Sequence, residues 1–189
     1  MPDVILLNKP YGVICQFSAH ASHPTLKQYV DQPGFYPAGR LDTESEGLLA
    51  LTNDGKLQHR ISAPRWKFPK TYWVQVEGLA SEAALHTLCT GVDLGDYVTQ
   101  PARVEPMAPP ALWPRVPPIR FRKQVADTWL AITLSEGKNR QVRRMTAKVG
   151  LPTLRLVRVA IGPWSLGSLL PGQWERRRVC WDDLAAAGS

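Results

Sequence analysis

The chain has 189 residues, enough for one well-buried domain or two small subdomains sharing a cleft. A hydrophobic fraction of 44% with 21% charged residues excludes overall disorder, and no apolar run approaches the length of a bilayer span. Lys and Arg number 23 against 16 Asp and Glu, and the resulting net charge of +7 points to a polyanion, nucleic acid before an anionic membrane surface.

The opening residues have neither the basic leader nor the long apolar core of a secretory signal, so a cytoplasmic protein is expected. They read instead as a buried strand over Val4–Leu7, broken by Pro10 and Gly12. Residues 25–30 resemble a short helix ended by the Pro33-Gly34 turn. Gly47–Thr52 is a buried strand closed by the turn residues Asn53-Asp54-Gly55. Thr71–Leu79 alternates Tyr72, Val74 and Val76 with polar residues, the period of a half-buried strand. Ser81 is placed to cap a helix over Ala83–Leu88 that Gly91 stops, and a strand pair flanks the Gly95-Asp96 turn.

Pro101–Pro118 is too rich in proline for a regular helix or a central strand and reads as a long rigid surface loop. Trp129–Leu134 is a further strand. Arg140–Val149 has helical spacing, with Asn139 as its cap and Gly150 as its stop. Thr153–Ile161 returns as a strand that Gly162-Pro163 ends. Strands outnumber helices and most connections are short, which predicts a largely antiparallel α+β domain.

The cysteines, Cys15, Cys89 and Cys180, are odd in number and far apart, which fits neither a disulfide framework nor a structural zinc site. His20 and His23 lie close together without a thiol or carboxylate suited to share a metal. Neither a P-loop nor a dinucleotide-binding glycine motif is present. The chemistry is therefore expected from the protein's own side chains, with no cofactor and no metal.

Three short segments carry groups fit for chemistry. On the helix from Arg140, residues Val142, Met145 and Val149 share one face, while Arg140, Arg144 and Lys148 lie on the other. Arg143 stands at the border, within reach of a cleft. Such a face alone is commonly just solvated. The net charge, the loop Glu136-Gly137-Lys138-Asn139 ahead of the helix, and Arg155 and Arg158 after it favour a phosphate-binding surface. In Gly39-Arg40-Leu41-Asp42, an extended backbone would turn Arg40 and Asp42 to one side and anchor Leu41 in the core; an exposed turn with a local ion pair fits as well. In Lys70-Thr71-Tyr72, the ring is either core or a stacking surface for a base.

Five segments occur in order: Asn8-Lys9-Pro10-Tyr11-Gly12-Val13, Gly39-Arg40-Leu41-Asp42, Leu51-Thr52-Asn53-Asp54-Gly55, Lys70-Thr71-Tyr72, and Glu136 through Met145. Together they resemble the motif series of the type-A pseudouridine synthases of small-subunit rRNA and their relatives. The likeness runs from about Asn8 to about Trp174, and Leu112–Arg120 makes it most like the type-E synthases of large-subunit rRNA in that family. Lys138 stands where arginine is commoner, which keeps the charge.

The resemblance implies a pseudouridine synthase fold: a mostly antiparallel mixed sheet in two subdomains flanking an active-site cleft. It implies a single catalytic domain over residues 1–180, a C-terminal tail over 181–189, and no S4 RNA-binding domain, since only seven residues precede Asn8. The implied activity is isomerisation of a specific uridine of 23S large-subunit rRNA, free or in an assembly intermediate, by a cytoplasmic monomer needing no cofactor and no membrane. Asp42 matches the essential aspartate, and attack on the base and assistance at C1′ are both open to it. Tyr72 matches the tyrosine stacked on the uracil, and Arg143 the basic residue paired with the aspartate. Arg40 is a candidate to fill the stack left by an extruded uridine, and Lys9, Lys70, Arg140 and Arg144 are candidates for phosphate contacts. Two rivals are a non-catalytic RNA-binding module, which has no use for a cleft carboxylate, and a nucleoside hydrolase, which would want a second acid.

Overall fold

The computed structural model describes residues 1–120, 122 and 124–186. In chain order they form β1 (Asp3–Lys9), β2 (Tyr36–Pro37), β3 (Glu46–Thr52), α1 (Gly55–Ser62), β4 (Lys70–Glu77), α2 (Glu82–Thr90), β5 (Arg103–Met107), β6 (Asp127–Leu134), α3 (Gln141–Lys148), β7 (Thr153–Ile161), β8 (Trp164–Ser165), β9 (Trp174–Arg178) and α4 (Trp181–Ala186). The chain divides into two compact units, one comprising Met1–Pro69 and the chain from Val157 onward, the other Lys70–Leu156.

In the first unit β1 lies between antiparallel β3 and β9, with Leu6 opposite both Ala50 and Glu175. All seven residues of β3 are buried, which is why Gly47–Leu51, between Glu46 and Thr52, is a continuous apolar run without alternation. The start of β3 pairs in parallel with β7 through Glu46 and Val157, then Gly47 and Arg158. Gly47 is required there. Its φ is +104°, and a Cβ would stand 2.3 Å from the Arg158 carbonyl oxygen.

Asp54 does more than close a turn. Its carboxylate accepts from Leu57 N at 2.8 Å and caps α1, which packs through Leu57 and Ile61. This helix was not predicted, although an Asp followed by apolar residues four apart is a helix-start pattern. Residues 25–30 form only a 3-10 turn at Leu26–Gln28. The expected C-terminal tail contains α4, held by the buried Leu184 and by Arg60, which donates to the Leu184 carbonyl at 3.2 Å.

In the second unit β4, β6 and β5 pair antiparallel, with Tyr72 and Val104 both opposite Ile132. β4 alternates as predicted, Tyr72, Val74 and Val76 buried and the residues between them half-buried. β5 corrects the reading of Pro101–Pro118 as loop throughout. It is an edge strand, and Pro106 is tolerated because an edge leaves one side of the ladder unpaired. The Gly95-Asp96 turn is closed by one bridge, Asp93 to Val98, rather than by a strand pair. Ser81 caps α2 as predicted, accepting from Ala84 N at 3.1 Å. At α3 the cap position falls on Arg140, left-handed at φ +50°, and not on Asn139. The fold class is the expected one, α+β with mostly antiparallel pairing.

Candidate active site

In the first unit the loop between β2 and β3 carries Gly39-Arg40-Leu41-Asp42. Leu41 is buried, Arg40 exposed and Asp42 half-buried, the distribution expected of an anchored loop that offers its charges outward. Its backbone is gripped on both sides of Asp42. Arg158 Nη1 donates to the Arg40 carbonyl at 3.2 Å. The Cys15 thiol donates to the Leu41 carbonyl at 3.1 Å, and Leu41 N returns a bond to the sulfur at 3.4 Å. Ser45 N donates to the Asp42 carbonyl at 3.0 Å, and Gly12 N to Thr43 at 2.8 Å. Only side-chain torsions are left to aim the Asp42 carboxylate, which is how a reacting group is held near attack geometry.

Lys9 completes this grip, and the structure corrects its expected role. It is fully buried, and its ammonium donates to the carbonyls of Pro10 and Val13, each at 2.9 Å, and of Thr43 at 3.4 Å. An ammonium has three donors, and all are committed, so Lys9 braces the loop and does not contact phosphate. Burial pulls its pKa from 10.5 down to about 8, while Cys15, Glu46 and Asp42 act in the opposite direction. Arg158, expected on a phosphate-binding surface, is likewise buried, its Nε donating to the Leu48 carbonyl at 2.8 Å. The bracing by Cys15 and Arg158 was not legible in the chain, because each reaches residues far away in sequence.

In the second unit Tyr72 lies on β4, buried on the face it shares with Val74 and Val76. Lys70 opens the same strand, its Nζ 3.9 Å from where a Cβ on Gly137 would stand. The loop before α3 is tied by Gln141, whose Oε1 accepts from Lys138 N at 3.1 Å and whose Nε2 donates to Glu136. Glu136 also accepts from Gln100 N at 2.8 Å. Lys138 Nζ sits 3.6 Å from the centroid of the Tyr97 ring. On α3, Val142 and Met145 are buried, Arg140 is exposed and Arg143 half-buried at the border, as predicted, whereas Val149 lies half-buried just past the helix end and Thr146 is buried in its place. Arg144 pairs with Asp96, Nη1 to Oδ2 at 3.1 Å, and this hydrogen bond holds the Asp96 carboxyl below its usual range. Asp96 is exposed and Arg144 partly so, and ion pairs this open to water are weak.

Among the described residues no group of three or more His, Cys, Asp or Glu is arranged to hold a metal. No described helix is long and apolar enough to cross a membrane.

A family profile described as RNA pseudouridylate synthase matches residues 3–148. A protein of Xanthomonas campestris pv. campestris named "Ribosomal large subunit pseudouridine synthase E" is 60% identical over 90% of this chain and 93% of its own. A Salmonella typhimurium protein named "Ribosomal small subunit pseudouridine synthase A" is 33% identical over 99% of this chain and 74% of its own. A solved structure titled "Crystal structure of pseudouridylate synthase" superposes with a TM-score of 0.79 at 29% identity, covering 98% of this chain and 73% of that one.

Proposed function

We propose that this chain, which belongs to the RNA pseudouridylate synthase family, isomerises one uridine of large-subunit ribosomal RNA to pseudouridine. The choice of large-subunit RNA rests on its 60% identity to a relative so named. In the reaction the N1–C1′ bond breaks, the uracil turns, and a C5–C1′ bond forms. The proton leaves C5 and N1 regains one, so nothing is oxidised and no group is lost. A reaction balanced in this way asks for a carboxylate and a means of moving one proton, and for no cofactor.

In this reading Asp42 is the reactive carboxylate, and Tyr72 and Arg143 complete the catalytic set. Arg40, Lys70, Arg140 and Arg144 hold the RNA, and residues 1–180 act as one catalytic domain. The enzyme works as a cytoplasmic monomer on rRNA that is free or in an assembly intermediate. The observation that carries the assignment of Asp42 is its loop: a half-exposed carboxylate on a backbone braced at Arg40, Leu41, Asp42 and Thr43. Such bracing is what a group needs if it must meet one atom of an extruded nucleotide.

The test is Asp42→Asn, which keeps the shape but removes the anionic oxygen. It is expected to abolish isomerisation of rRNA transcripts while RNA affinity changes little. Turnover near wild type would remove Asp42 from the mechanism. Release of free uracil by the wild type would replace the isomerase with a hydrolase.

A further inference from the structure

We propose that a groove in the first unit, between α1, the 3-10 turn at Pro64–Trp66 and α4, is a second RNA contact in which an unpaired base stacks on tryptophan while cations hold the flanking phosphates. The inference rests on the RNA-directed function above and adds a surface which that function does not use. The groove is open to solvent, measures about 610 Å³ and is lined by Lys56, His59, Arg60, Arg65, Trp66 and Trp181, together with Gly55.

The local structure explains why these groups face outward. Leu57 and Ile61 turn one face of α1 into the core, which leaves Lys56 and His59 exposed and Arg60 half-buried. Pro64 starts the 3-10 turn, and Lys67, left-handed at φ +47°, ends it. Trp66 and Trp181 remain 37% and 42% exposed. Each indole keeps part of its surface in water, and at a surface indoles are the side chains best suited to stack on a base.

The cations are arranged before any ligand arrives. The Arg60 guanidinium carbon lies 4.3 Å from the centroid of Trp66, and that of Arg65 lies 4.9 Å from it. Arg60 is anchored by its bond to the Leu184 carbonyl, and Arg65 donates to His59 Nε2 at 2.8 Å. Guanidinium planes are themselves stacking surfaces for bases, and groups already ordered lose less entropy on binding. Among the described residues no carboxylate lines the groove. Asp182 and Asp183 follow Trp181 on α4 and are exposed, so a phosphate chain is steered toward the α1 side.

RNA suits this surface better than an acidic peptide, which would meet the cations but offer no flat ring to stack on the indoles and guanidinium planes. The position suits a long substrate too. Asp42 precedes β3 and α1 follows it, and a strand of that length spans roughly 20 Å. One RNA could thus engage the Asp42 loop with one nucleotide and the groove with another several residues along.

The experiment uses the full chain and a fluorescein-labelled, unstructured oligoribonucleotide, with affinity read by anisotropy across a salt series. Trp66→Ala and Trp181→Ala are each expected to weaken binding about tenfold, and Trp66→Phe to keep most of the affinity. Lys56→Gln combined with Arg65→Gln should lower the log–log salt slope by about 1.4. Photocrosslinking of a 4-thiouridine-containing RNA should mark peptides bearing Trp66 or Trp181. Thermal melts establish that each variant is folded, and the crosslinking of the wild-type chain stands independently of any variant. Wild-type affinity in folded alanine variants, crosslinks only elsewhere, or capture of an acidic peptide in place of RNA would each overturn the proposal. If the enzyme makes pseudouridine yet the groove variants bind RNA normally, only the groove assignment fails. If RNA crosslinks to the groove yet the wild type modifies no rRNA, only the enzymatic reading fails.

Discussion

Arg158, carried by β7, reaches the loop of Asp42 through a single bond: its Nη1 donates to the Arg40 carbonyl at 3.2 Å while its Nε donates to the Leu48 carbonyl at 2.8 Å. One buried guanidinium therefore ties the loop to β3 from below. Arg158→Met removes both bonds and leaves two carbonyls short of a donor, at about 1–3 kcal/mol for each buried group. The expected result is a lower unfolding temperature together with a turnover reduced by at least about tenfold and a little-changed KM. Arg158→Lys, which can keep one of the bonds, should recover part of the rate. A loss of stability with unchanged turnover would make Arg158 a packing residue and not a positioning one.

Lys9 makes a pH-dependent contribution whose sign is definite. Below about pH 8 the ammonium is charged in both the folded and the unfolded chain, so the cost of burying the charge is fully present. Between about 8 and 10.5 the unfolded chain holds the proton more tightly, and stability rises with pH; it is lost again as the pH falls through about 8. Measured as wild type minus Lys9→Met in urea unfolding at pH 7 and at pH 10, the rise should be on the order of 2–3 kcal/mol. A difference independent of pH would mean that the carbonyl contacts hold the Lys9 pKa near its ordinary value.

Gly47→Ala asks for room that is absent. The new Cβ would stand 2.3 Å from the Arg158 carbonyl oxygen and 2.8 Å from Arg158 N, and neither backbone atom can swing aside as a side chain would. With φ at +104° adding strain, the substitution should lower stability by more than about 3 kcal/mol. Chemical denaturation reads this directly, and a shift below about 1 kcal/mol would show that β3 and β7 can separate cheaply.

On the proposed function, Asp96 competes with RNA for Arg144. If Arg144 meets phosphate, Asp96→Asn should raise RNA affinity about two- to fivefold and Arg144→Gln should lower it, with the salt slope falling by about 0.7–0.9 in the latter. Equal affinities for both variants and the wild type would remove Arg144 from the RNA contacts.

Much of this protein is legible in the chain itself. Unbroken apolar runs mark β1 and β3, alternation marks β4, and Ser81 with Gly91 brackets α2, because each of these depends only on neighbours within a few residues. The same holds for Leu41 as the anchor beside Asp42 and for the buried stripe of α3. Edge position is different. Pro106 by itself argues against a strand, and only the pairing of β5 with β6 alone makes it acceptable.

Charge by itself points to a polyanionic partner, since a net +7 needs no fold to be counted. Which cations can meet that partner was decided by tertiary structure. Lys9 and Arg158 read as basic surface, yet both are buried: Lys9 donates to carbonyls that include Val13 and Thr43, and Arg158 to those of Arg40 and Leu48. Lys56, Arg60 and Arg65 stood out in no motif, yet they converge with Trp66 and Trp181 in one groove. A residue's charge is a property of its side chain, whereas its exposure depends on chain segments distant in sequence, 34 residues for Lys9 and Thr43 and 118 for Arg158 and Arg40, that must close over it or leave it open.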